Sequence, residues 1–454
     1  MFATPAILAL LCFVYIRPQE FIPNLDRVPL LYLLVALALI GLGLDIRLRY
    51  TRLEKNPLLP WVLAHIVWSA LSMAVMARHA LTTMGVQLAV GFIIYLVLSQ
   101  GAPTFRGLAT VGTGVLAVSL FIAIIGLHQG FAPLGCVRPS DRNPEVMMPV
   151  GGTATCTSDD QCRKDFDRDD LFCEHIGLID TTSVGQRIRY RGMMQDPNEL
   201  ALVASMSIPF AFALFEVRRS LTRFLLAIGT FIAVAIVDVL TKSRSGQLAF
   251  AAVLGVYLLR RLKTLGIVLA VVAVLPILML GGRSGAEADE STTDRLSYWA
   301  GAIQMARDSP FVGVGMGQFT EYQPLTAHNS MMLALGETGL PGLFFWTALV
   351  YVAFKVAFAV VRGPWGPEAK VARIWGTAVL ASLSAFSGSA LFLSLTDHYV
   401  FWVLIGLVGS LYGATFRHDE NFRIPFGLKD FLTVGAIDTV VVLVIHFYTR
   451  SKGF

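Results

Sequence analysis

Apolar residues fall in long runs along nearly the whole chain, each closed by a short polar connection. A membrane-crossing helix needs about 20 mainly apolar residues. The candidate stretches are 2–16, 29–45, 60–77, 83–100, 108–127, 198–216, 221–240, 245–259, 264–281, 340–361, 372–395, 398–416 and 430–448. They predict an all-α polytopic membrane protein of about 12–13 transmembrane helices with two long loops, 128–197 and 282–339. The last stretch contains Asp438 and His446. As a thirteenth span it would place Arg450 and Lys452 on the outer side, so an interfacial or re-entrant reading stays open.

Composition agrees with a life in lipid: 55% of the 454 residues are hydrophobic and 15% charged, with a mean hydropathy of +0.65. The first stretch has no charged n-region and no A-x-A site, and reads as a retained helix. A net charge of +5 invites a nucleic-acid reading. The basic residues lie instead in short clusters between apolar runs, where they set orientation. With the N-terminus inside, Arg47 to Lys55, Arg106, Arg218 to Arg223, Arg260 to Lys263, Arg362 to Arg373 and Arg417 to Lys429 all fall in cytoplasmic connections. The two long loops and the turns at Lys242–Arg244 and Asp397–His398 then face the periplasm or cell exterior. The expected organisation is N-terminal helices over 1–127, a cysteine-containing loop over 128–197, central helices over 198–281, a second loop over 282–339 and C-terminal helices over 340–454. No internal repeat is visible.

Four of the five cysteines, Cys136, Cys156, Cys162 and Cys173, lie in the first long loop. In an oxidising compartment they suggest two disulfides in one of three pairings. Zinc-type C-x-x-C spacing is absent. The acidic run Asp159, Asp160, Asp165, Asp167, Asp169 and Asp170 leaves a calcium-loop reading open.

Three segments could carry chemistry. The first loop ends on Arg187-Ile-Arg189-Tyr190-Arg191-Gly192, then Asp196-Pro197-Asn198-Glu199. Arginine grips phosphate in a bidentate fork, and outward arginines are not explained by orientation, which singles out Arg191. The second segment, Thr241-Lys242-Ser243-Arg244-Ser245-Gly246, is a basic turn on the same side; Asp238 could pair with Arg244 on a purely structural account. The third joins Ala327-His328-Asn329-Ser330 to Gly336-Glu337-Thr338-Gly339-Leu340-Pro341-Gly342. A histidine at such a mouth can act as a general base near neutral pH, with Asn329 and Glu337 beside it, or can be an ordinary structural residue. Arg295 and the glycines Gly313, Gly315 and Gly317 occupy the same loop and match no nucleotide-binding fingerprint. Cations around a histidine, with no nucleotide motif, suggest a lipid-diphosphate substrate whose leaving group already stores the energy.

At these residues the chain resembles the O-antigen ligase superfamily, which includes lipopolysaccharide O-antigen ligases, Wzy-type polysaccharide polymerases and protein O-oligosaccharyltransferases. The likeness rests on R-G with D-P-N at Arg191 to Asn198, S-R-S-G at Ser243 to Gly246, and A-H-N followed by E-x-G-x-x-G at Ala327 to Gly342. It is clearest from Arg187 to Phe345. The resemblance implies a membrane glycosyltransferase of the C-type architecture in the bacterial inner membrane. Such an enzyme takes a glycan from undecaprenyl diphosphate, without metal or cofactor, and passes it with inversion to a glycan, lipid A core or protein acceptor. By motif position Arg191 and Arg244 look like diphosphate ligands, with Arg295 assisting. His328 looks like the acceptor-activating residue, supported by Asn198, Asn329 and Glu337. The rivals are a transporter or flippase for a lipid-linked glycan, against which the missing pseudo-symmetry counts, and an assembly subunit that binds a partner through the stapled loop.

Overall fold

The structure is a computed structural model that describes residues 2–454 apart from 23, 141–146, 151–154, 264, 267, 270–285 and 364–368. Most of the predicted span 264–281 lies outside the described residues. The helices are α1 (Ala3–Ile16), α2 (Leu30–Arg47), α3 (Leu59–Met76), α4 (Leu81–Gly101), α5 (Phe105–Phe131), α6 (Asp159–Phe166), α7 (Pro197–Val217), α8 (Leu221–Thr241), α9 (Arg244–Leu262), α10 (Ala286–Asp308), α11 (Phe319–Tyr322), α12 (Ser330–Arg362), α13 (Ala369–Ala390), α14 (Tyr399–His418) and α15 (Leu428–Ser451). Among the described residues nine helices are long and apolar enough to cross a membrane: α2, α3, α4, α5, α7, α8, α12, α14 and α15. The chain is an all-α polytopic membrane protein. Helix α1 has only 14 residues, α9 opens on Arg244 and closes on Arg260 and Arg261, and α13 carries Lys370 and Arg373 in its first turns.

The chain divides into two compact units, one of Met1–Leu8, Leu33–Gly112 and Arg283–Phe454, the other of Ala9–Tyr32 and Thr113–Gly282. In the first, α4 packs along α14, and α12 packs on α3, α10, α13 and α15. Small residues set the α4–α14 approach: a Cβ on Gly406 would lie 2.7 Å from that of Leu98, and one on Gly91 would enter the Trp402 ring. Buried Asp45 accepts from the amides of Phe2 at 2.8 Å and Ala3 at 2.9 Å, which ties the start of α1 to α2. The segment 430–448 is one 24-residue helix. Asp430 at its start is held by Lys355 Nζ at 2.7 Å and Tyr351 Oη at 2.8 Å, from the far half of α12. Its packing on α10, which also meets α12 near Gly336, means that α15 runs back toward the end of α12 that carries His328.

In the second unit α7 packs against α8 and α9. The loop after α5 adds three short strands, β1 (Leu134–Pro139), β2 (Met147–Pro149) and β3 (Phe172–His175), in the antiparallel order β2-β1-β3. Cys136 and Cys173 face each other across β1 and β3, yet each bonds elsewhere. Cys136 joins Cys162 of α6, and Cys173 joins Cys156. The four half-cystines and Leu171 form the core of this small layer.

Candidate functional site

Each unit carries one group of the candidate residues. In the second unit Asp196 caps α7, and Asn198 is the hub of a polar network. Its Oδ1 accepts from Ser243 Oγ at 2.7 Å and from Arg187 Nη2 at 3.3 Å, and its Nδ2 donates to Asp196 at 2.7 Å. Ser243 also caps α9, accepting from the Gly246 amide at 3.0 Å. Arg187 Nε closes the ring on the Thr241 carbonyl at 2.8 Å. These contacts fix the turn that exposes Arg244. Asp238 accepts from Ser205 Oγ at 3.2 Å instead. The glycine of S-R-S-G has a packing reason, since a Cβ on Gly246 would lie 2.2 Å from that of Ala201 on α7. Arginine 187 is therefore the member of the R-x-R-Y-R run that the fold brings to this turn.

Arg191 goes elsewhere. Its Nη1 donates to the Glu20 carbonyl at 2.8 Å and its Nη2 to that of Ile179, while the guanidinium lies over the Phe21 ring at 5.9 Å. It joins the α1–α2 connection to the end of the stapled loop. Neighbouring Tyr190 donates to the Ile16 carbonyl at 2.9 Å; burial holds its phenol above the ordinary range, so it stays the neutral donor. The third arginine, Arg189, is buried and donates through Nε to Thr182 at 3.0 Å.

The first unit carries His328. The helix of A-H-N begins at Ser330, earlier than hydropathy alone suggests, because Asn329 Oδ1 accepts from the amides of Met331 at 3.0 Å and Met332 at 3.1 Å. His328, half-buried, sits just before this cap in the left-handed region, with φ 47°. A histidine there stores roughly 1–3 kcal/mol of backbone strain, tolerated where the surroundings fix it. Those surroundings are the turn between α13 and α14. Ser394 Oγ accepts from the His328 amide at 3.0 Å. Ser330 Oγ donates to Leu393 at 2.7 Å and accepts from the Leu395 amide at 2.9 Å, and Thr396 Oγ1 donates to the Ser330 carbonyl at 3.1 Å. On the other flank Trp299 of α10 donates to the Ala327 carbonyl at 2.9 Å. Arg295 precedes Trp299 by one helical turn, on the same face of α10.

Glu337 lies further along α12, about 12 Å from the cap by helix rise. Its Oε1 accepts from the Phe319 amide at 3.2 Å, and its carbonyl accepts from the Gly315 amide at 2.9 Å and Ser72 Oγ at 3.0 Å. It clasps the glycine loop 313–317. The helix breaks two residues later, where Gly339 adopts φ 70° and ψ −172°. A histidine–aspartate pair completes the picture: His65 Nε2 of α3 donates to Asp397 Oδ1 at 2.9 Å. Neither residue stands in a motif, and a lone histidine in an apolar run is the signal that could have pointed to it.

The sulfurs of Cys136, Cys156 and Cys162 lie within 4.8 Å of one another. Bonded into two adjacent disulfides, they offer no thiolate to a metal. In the acidic run Asp159 accepts from the Cys173 amide at 2.7 Å, and Asp170 pairs with Arg168 at 2.8 Å.

Apolar helices long enough to span define a multi-pass membrane protein, and its candidate site residues gather on helix caps and the turns beside them. Residues 228–347 match the family model described as O-antigen ligase, a match that supports membership in the O-antigen ligase superfamily. The matched segment holds Arg244, Arg295, His328, Asn329 and Glu337, while Arg191 and Asn198 lie upstream of it. Comparison with curated proteins finds no match.

Proposed function

We propose that this protein is a membrane glycosyltransferase that moves a glycan from undecaprenyl diphosphate to an acceptor hydroxyl on the periplasmic face, as a ligase or a polymerase. The acceptor oxygen forms a bond to the anomeric carbon as the bond from that carbon to the diphosphate oxygen breaks, with inversion. The acceptor proton passes to His328, and the bonding electrons leave with undecaprenyl diphosphate. Arg244 meets the charge that develops on the diphosphate, with Arg191 contributing the guanidinium donors left free by Glu20 and Ile179. Arg295 assists from α10. Arginine supplies the positive charge here, and the reading calls on no metal.

The observation that carries the reading is the restrained, left-handed His328 at the cap of α12, inside the segment matched by the ligase family. A deletion strain complemented with wild type and with His328→Ala tests it by surface-glycan gel ladders. His328→Ala should abolish transfer at unchanged membrane level; full activity of that variant overturns the mechanism. Loss of long chains with single repeats still attached identifies a polymerase. Loss of every attached chain with lipid-linked polymer accumulating identifies a ligase.

A further inference from the structure

A histidine inside an apolar helix is costly unless it is paired, and an ionisable residue so placed asks for a role. His65 has a side chain only 1% exposed and stands in α3 between Ala64 and Ile66, in an apolar stretch of that helix. Its bond to Asp397 is the ring's only hydrogen bond among the described residues, since Nδ1 has no partner there. Asp397 closes the turn 393–397, whose other residues make four hydrogen bonds to His328 and Ser330. Gln87 of α4 adds a long contact of 3.4 Å to the Asp397 carbonyl. The turn is thus a strap: one end holds the cap that carries His328, and the other is pinned to α3 through His65.

We propose that His65 is a positioning residue for His328, acting through Asp397 and the 393–397 strap. The inference rests on the glycosyl-transfer reading for its kinetic consequence and on the hydrogen-bond chain alone for its structural one. Without the His65 donor, the Asp397 carboxylate, 9% exposed, has lost its buried partner. It then gains by moving toward water, taking the strap with it. The left-handed His328 depends on the Ser394 contact, so its imidazole is no longer held where an acceptor hydroxyl must meet it. Misplacement by about 1 Å can cost about a hundredfold in rate.

Glutamine and asparagine at position 65 separate this role from simple packing. The glutamine amide nitrogen reaches the position of Nε2 and can still donate to Asp397, whereas that of asparagine reaches only the position of Nδ1. The full chain is reconstituted in liposomes with the lipid-linked glycan that accumulates in the deletion strain as donor and that strain's lipid extract as the source of acceptor. His65→Asn is expected to lower turnover by about ten- to a hundredfold with donor KM changed by less than about twofold. Hydrogen exchange at 393–397 and 328–330 should quicken in the same variant. His65→Gln should keep turnover and exchange within about threefold of wild type. Equal behaviour of the two variants, a loss carried by KM, or full turnover in His65→Asn overturns the proposal. If wild type transfers no glycan, it is the transfer reading that fails, and exchange still decides the positioning claim: unchanged protection at 393–397 in His65→Asn overturns it.

Discussion

The Asn198 hub predicts a measurable coupling across the turn that exposes Arg244. Asn198→Ala removes an acceptor from Ser243 Oγ at 2.7 Å, one from Arg187 at 3.3 Å, and the bond to Asp196 at 2.7 Å. At about 1 kcal/mol for each, the charged but long Arg187 contact included, the loss is about 3 kcal/mol. Ser243→Ala gives up the same Ser243–Asn198 bond and the cap of α9, together about 2 kcal/mol. Because one bond is counted in both, the double variant should cost about 4 kcal/mol rather than about 5, a coupling of about 1 kcal/mol. Thermal unfolding of the purified protein in detergent measures the stability cycle, and initial transfer rates measure the functional one. If the network sets the place of Arg244, the double variant transfers glycan about as slowly as the slower single variant. Additivity within about 0.3 kcal/mol in both cycles would refute the hub.

Gly339→Ala forces a side chain into a glycine-only backbone region and places its Cβ 2.4 Å from the Phe311 carbonyl oxygen. It should cost at least about 3 kcal/mol, read as a lower melting temperature and less monodisperse protein. Replacing Cys136 and Cys162, or Cys156 and Cys173, by serine opens loops of 26 and 17 residues. The expected loss is about 3.5 and about 3 kcal/mol, confined to the stapled layer and seen as proteolysis between 134 and 175. Glu337→Gln keeps the oxygen that accepts from Phe319, so thermal unfolding should place it within about 1 kcal/mol of wild type. Glu337→Ala, which leaves that amide unpaired, should lose about 2 kcal/mol by the same measurement. Arg191→Lys exchanges the planar fork that meets the Glu20 and Ile179 carbonyls for a single ammonium; it should lower the melting temperature and raise donor KM. A stability loss with donor KM unchanged would make Arg191 a clip and remove it from the diphosphate site.

Hydropathy reads the spans because lipid demands length and apolarity, which are properties of a segment by itself. The resolved helices α2, α4, α5, α7 and α8 lie within a few residues of the predicted runs. The same reasoning places α12 at residue 340, because Glu337, Thr338 and Gly339 look like loop residues. Yet the Asn329 cap starts the helix at Ser330 and carries those polar groups into the protein interior. The disulfide pairing was closed to sequence for a similar reason. Cys136 and Cys173 are cross-strand neighbours, yet Cys136 bonds Cys162 of α6, and Cys173 bonds Cys156, whose amide donates to the Leu134 carbonyl of β1.

Charge placement finds arginines in need of a reason without telling what the reason is. The charge pattern puts the loop of Arg187, Arg189 and Arg191 on the expected outer side, where orientation gives none of them a role, and that argument applies to all three alike. The fold separates them. Arg189 is buried on Thr182, Arg191 ties two stretches of backbone, and Arg187 holds Asn198 and Thr241 beside the turn of Arg244. Three guanidinium groups within five residues thus do three jobs, and only their hydrogen-bond partners distinguish them. The same holds for the histidines. His328 is legible because it sits in a polar turn with Asn329, while His65 lies in an apolar run that looks like any other span. Motifs expose residues whose neighbours in the chain share their task, whereas a residue that works through a strap more than 300 positions away becomes visible only once the two segments meet.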